Sequence, residues 1–140
     1  MRPAPDHEHP PEPVPGRSLV LAVAAYALVL VLAAELAVWG AFLVFVRAYG
    51  HAVPVGIAVA AVGNVVLGTA GGRVLGSRWG QVGPGVVWLL IALQLGSSRP
   101  EGDLIITNST RGLAFLLVGA VASVAVLLRP LATPGTPTGR

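Results

Sequence analysis

The chain has 140 residues, 54 % of them hydrophobic and 11 % charged, with a mean hydropathy of +0.78 and a formal net charge of +3. That balance is too apolar for an ordinary water-soluble domain, and the lack of cysteine excludes disulfides, thiolate metal sites and cysteine nucleophiles. The nine basic residues are all arginine and stand singly near the ends of apolar runs, so the basic balance does not point to nucleic acid.

Residues 1–17 carry Pro3, Pro5, Pro10, Pro11, Pro13 and Pro15 among charged side chains, a composition that neither buries apolar area nor sustains a helix. A disordered tail is expected. Asp6-His7-Glu8-His9 offers metal-type ligands there, but four consecutive residues on such a segment supply no rigid geometry, and no metal or cofactor is expected. The first apolar run, residues 19–46, is too long for a secretory signal. As a helix it measures ~42 Å against ~30 Å of hydrocarbon, so it tilts or emerges at one end. Glu35 is its one interruption.

The turn Arg47-Ala48-Tyr49-Gly50-His51 leads to a second span over about residues 52–72, with Pro54 in its first turn and Arg73 closing it. A loop holding Arg78 and Trp79 then leads to a short third span over about 82–97, with Pro84 at its start. A polar connection, SRPEGDLIITNSTR, follows, in which Asn108 or Ser109 is placed to cap a fourth span over about 112–128. Arg129 and Pro130 end that span, and residues 130–140 read as a second disordered tail. Long unbroken apolar runs favour helices over strands in lipid. The predicted fold is therefore an all-α, four-helix transmembrane bundle over residues 18–129, with disordered Pro-rich termini.

Arginine near a span end resists translocation. Arg2, Arg17, Arg73, Arg78, Arg129 and Arg140 fall on the side of the termini, and Arg47, Arg99 and Arg111 on the other. Both termini are expected in the cytoplasm of a bacterium, whose plasma membrane this multi-pass chain crosses; the Arg-for-Lys, Ala-rich and Gly-rich bias fits a GC-rich coding sequence. In that setting the acceptor pattern Asn108-Ser109-Thr110 carries no glycan, and Glu101 and Asp103 solvate an outer loop. Arg47, Arg73, Arg78, Trp79 and Arg129 are expected as interface anchors.

A carboxyl group deep in lipid is kept for a partner or a pathway. If the first two spans are antiparallel about a turn centred between residues 49 and 50, residues whose numbers add to 99 share a depth, which pairs Glu35 with Asn64. Asn64 lies ~13 Å from Arg73, and Gln94 lies ~18 Å from the start of the third span. With Ser123 these residues are expected to form one intramembrane polar cluster, either a hydrogen-bond clasp that specifies packing or a site for a proton or cation. Gly68, Gly72 and Gly76 repeat every four residues and predict a close-packing seam, within the chain or between two copies. Nothing near them matches a phosphate-binding loop.

The stretch LGSSRPEGDLIITNSTRGLAFLLVGAV, residues 95–121, resembles a family of small four-helix membrane proteins of actinobacteria whose function is unassigned. That resemblance implies a plasma-membrane location and, in some members, a gene position near the mycothiol-pathway deacetylase. Ala34-Glu35 in the first span is similar to the Ala-Glu of small multidrug-resistance transporters, although residues 56–72 lack the aromatic residues those proteins place around their cargo. The leading expectation is a non-catalytic accessory or scaffold subunit, not an enzyme, whose partners are the lipid bilayer and a membrane protein or a second copy of itself. The alternative is a dimeric proton-coupled exporter using Glu35.

Overall fold

A computed structural model describes residues 15–48, 51–97 and 109–130. Within them the chain forms helix α1 (Pro15–Leu43), a two-residue antiparallel ladder of β1 (Arg47–Ala48) with β2 (His51–Ala52), and helices α2 (Val55–Leu75), α3 (Arg78–Gly96) and α4 (Thr110–Leu127). The fold is all-α apart from that ladder. All four helices are long and apolar enough to cross a membrane, over 26, 21, 19 and 18 residues. Both expected disordered tails, apart from residues 15–17 and 130, lie outside the described residues, as do Asp6-His7-Glu8-His9, Arg99, Glu101, Asp103 and Asn108.

Local chemistry sets the helix ends. α1 begins at Pro15, whose fixed φ suits a first helical position, and so starts earlier than composition suggested. It also stops earlier, because the amides of Val44, Phe45 and Val46 donate to the carbonyls three residues back at 3.3–3.4 Å, tightening the exit. In the ladder Arg47 pairs with Ala52 and Ala48 with His51, so the turn is centred between residues 49 and 50, where the sequence places it. Pro54 is the N-cap residue of α2, just outside its first turn. At the other end, α2 runs on past Arg73 to Leu75 and is closed by Gly76 in the left-handed region, φ 57°.

The third helix departs most from expectation. Ser77 caps it, its Oγ accepting from the Gly80 amide at 3.2 Å, so α3 starts at Arg78 and absorbs Arg78 and Trp79 from the expected loop. Nineteen residues make it ~28 Å long rather than short. Pro84 is therefore inside the helix, not at its start. Its missing amide frees the Gly80 carbonyl, and Gly71 of α2 lies against that oxygen so closely that a methyl group at Gly71 would clash with it. α4 is capped by Ser109, whose Oγ accepts from the Gly112 amide at 3.2 Å.

The antiparallel α2–α3 hairpin forms the centre of the bundle, with α1 packed on one side of it and α4 on the other. The interior is built from small residues. On α2 the buried positions Gly56, Ala60, Asn64, Gly68 and Gly72 recur every four residues, and on α3 Gly80, Pro84, Trp88 and Ala92 do the same. Such faces let backbones approach: a methyl at Gly56 would lie 2.5 Å from the Gly40 carbonyl oxygen of α1. Two large side chains fill what remains. Trp88 lies over Gly119 and meets Phe115 with ring centroids 5.2 Å apart at 54°.

Candidate functional site

The flanking position of α1 leaves most of it outside the packing: 11 % of its most apolar 18 residues are buried, against 33 % for α2. Ala33 and Ala37 are wholly buried. Glu35 lies two residues from each, ~200° around a helix of 3.6 residues per turn, and so points directly away from the bundle. It is exposed. One turn on, Trp39 is 62 % exposed and its Nε1 donates to Glu35 Oε2 at 3.1 Å, the reach expected between residues i and i+4. Leu28 and Leu32 before this pair and Phe42 after it continue the same exposed stripe. Beside the stripe an apolar groove of ≈ 580 Å³ runs between α1 and α2, lined by Leu36, Pro54, Val59, Val62 and Gly63 among others.

The predicted polar cluster does not assemble, and the reason is rotation rather than depth. Leu36 packs on Gly63, at 2.5 Å from where a Cβ there would sit, so the expected antiparallel register is present and Glu35 and Asn64 share a level. Asn64, however, faces inward, 1 % exposed, with its Nδ2 donating to the Ala60 carbonyl at 3.0 Å and its Oδ1 without a partner. Gln94 is exposed near the end of α3. Ser123 is half-buried against Gly85 and donates to the Gly119 carbonyl at 2.9 Å within its own helix. Glu35 and Gln94 thus look outward while Asn64 turns inward, and the Asn64 amide and the Ser123 hydroxyl each close on their own helix backbone.

The glycine seam is displaced in the same way. Gly68 and Gly72 are buried inside the chain, against Val126 and the Gln81 side chain. Gly76 is the α2 cap, with nothing within 4 Å of where its Cβ would be, so the seam continues not through it but back along Asn64, Ala60 and Gly56. Of the expected anchors, Arg47, Arg73, Arg78, Trp79 and Arg129 are all exposed at or beyond helix ends. The Trp79 carbonyl also accepts from the Tyr26 hydroxyl at 3.4 Å, tying the start of α3 to α1.

Three features lie outside the expected site. Gln81, assigned to a loop, is 5 % exposed over Gly72 with its Oε1 unpaired; recognising Ser77 as a cap would have moved the helix start and turned Gln81 inward. Trp88 is fully buried with an unpartnered Nε1. The bond between Trp39 and Glu35 was available from their four-residue spacing. Chemically, the α1 face presents one carboxyl group steadied by an indole donor in an otherwise apolar strip. That pair can accept a further hydrogen bond or a cation.

Residues 8–140 match a family model described as a family of unknown function, DUF6113, a match that spans all four helices. No curated protein and no solved structure matches the chain.

Proposed function

We propose, for a chain that belongs to DUF6113, the family of unknown function, a non-catalytic role: a multi-pass subunit of a bacterial plasma membrane that docks on another membrane protein through the outward face of α1. The observation that carries this reading is Glu35, exposed with Trp39 in the middle of an apolar helix face.

The inverted packing supports the membrane setting. Alanine and glycine fill the interior, while leucine, valine and tryptophan cover the outside. In water so extensive an apolar surface associates, whereas in hydrocarbon it is solvated and helices assemble through close contact of small residues. Arg73, Arg78 and Arg129 stand at the end of the bundle where α1 begins, which supports cytoplasmic termini. Glu35 lies eight residues, ~12 Å, from the end of α1 at Leu43, and Asn64 at the same level lies nine residues, ~13 Å, from Arg73, so Glu35 is close to the middle of ~30 Å of hydrocarbon. A carboxyl group facing lipid there costs several kcal/mol, a cost that a covering protein surface with a polar or charged partner offsets. The groove beside it is lined by apolar side chains, with no nucleophile or base among them, which supports a binding role over a catalytic one.

Photoactivated labelling of native membranes with an apolar carbene probe tests the reading. Labelling is expected to be several-fold weaker at Leu28, Leu32 and Phe42 than at the similarly exposed Leu90 and Val121 of α3 and α4, which lie outside the groove; equal labelling of all these positions would overturn it. The competing exporter predicts substrate-dependent proton flux in proteoliposomes that Glu35→Gln abolishes, and that result would replace a subunit with a transporter.

A further inference from the structure

We infer that the surface received by α1 is a transmembrane helix carrying an arginine or lysine at mid-depth, with Glu35 as its counter-charge; the inference rests on the reading of that face as a docking surface.

Leu28, Leu32, Glu35, Trp39 and Phe42 are spaced by three or four residues, the rhythm that keeps side chains along one side of a helix and suits a second helix laid alongside at a shallow angle. At the centre of this stripe is its one charged group. Trp39 supplies a hydrogen bond to one carboxylate oxygen but no charge. Among the described residues, no arginine or histidine stands near Glu35 along the chain's helices: Arg17, Arg47, Arg73, Arg78, Arg111, Arg129 and His51 all lie within a turn of a helix end or beyond it. The described residues therefore supply no cation to meet Glu35 in the apolar zone.

That deficit also discriminates between occupants. A second copy docked face to face offers only another carboxyl group and no cation, and two such groups cannot both be ionised at low cost in a medium of low dielectric. A basic helix from another protein has the complementary difficulty, since a guanidinium or ammonium in hydrocarbon is as costly as the carboxylate, and joining the two relieves both. Arginine fits the pair particularly well. Its planar fork can bond the carboxylate oxygens while it stacks on the neighbouring indole of Trp39, and the groove along Leu36, Val59 and Val62 gives room for apolar side chains on the same partner helix.

The full chain, reconstituted in phosphatidylcholine vesicles, can be tested against synthetic probe helices of leucine and alanine that carry a central Arg, a central Leu, or an Arg displaced to one end. Since the chain has no cysteine, one introduced in the C-terminal tail takes a donor dye for energy transfer to a labelled probe. The central-Arg probe is expected to bind about tenfold more tightly than the other two, the ratio that ~1.4 kcal/mol of coupling gives. Glu35→Gln should remove that preference, with helicity by circular dichroism unchanged because the residue is exposed, and Trp39→Phe should reduce it. Equal binding of Arg and Leu probes, weakened equally by Leu32→Trp, would overturn the cation inference and leave the docking face standing. Equal binding together with α1 fully open to the carbene probe in native membranes would overturn both. Self-association of the chain abolished by Glu35→Gln, without any gain for the Arg probe, would also overturn the inference and identify a second copy as the occupant.

Discussion

Gly71 and Gly76, five residues apart on α2, are required for different reasons, and the difference can be measured. Gly71 faces the carbonyl of Gly80, so Gly71→Ala forces two backbones apart and should cost about 1–3 kcal/mol, as overpacking does. Gly76 has open space around it but holds φ 57°, so Gly76→Ala meets only backbone strain, about 1 kcal/mol. Reversible unfolding in mixed micelles followed by circular dichroism should rank the two variants in that order; the reverse ranking would mean that α2 and α3 are not in contact at this end. Glu35 illustrates a further point about single residues. Its depth follows from its position in the chain, but its role depends on the direction in which its helix is turned.

For the helices, start signals were stronger than apolar content. α3 is nineteen residues long because Ser77 satisfies the Gly80 amide, and the hydrophobic run alone placed the start at Val82. Ser77→Ala should therefore cost about 1 kcal/mol in the same unfolding assay, and Ser77→Asp should recover it. No difference between Ala and Asp would show that tertiary contacts, not the cap, hold the first turn. Pro84 belongs here too. A proline seven residues into α3 removes one helical hydrogen bond, and the bundle uses the freed Gly80 carbonyl as the surface against which Gly71 packs. The close α2–α3 approach and the two-residue Gly76-Ser77 connection are thus parts of one hairpin.

The bundle as a whole is asymmetric: α2 and α3 are shared by both flanks, whereas α1 meets neighbours on one side only. This is why a polar residue on α1 has an outward direction available, and why that helix carries the proposed docking face. The membrane reading makes its own prediction. The protein should remain in the pellet after alkaline carbonate treatment of membranes, and tags at its two termini should be protected on the same face. Release by carbonate would remove the bilayer from the account, and tags on opposite faces would require an odd number of crossings.

Four apolar helices, the turn centre between residues 49 and 50, and the Ser109 cap, one of two candidates there, were legible in the chain itself, because hydrocarbon-length apolar runs, hairpin register and capping side chains act over a few residues or one span. Even the shared level of Glu35 and Asn64 followed from counting. What the linear order did not contain was helix rotation. Which side of α1 turns inward is decided by the backbone approach of Gly40 to Gly56, by Leu36 seated on Gly63, and by the small buried Ala33, Ala37 and Ala60. That contact requires both helices at once, and by turning Ala33 and Ala37 inward it turns Glu35 out.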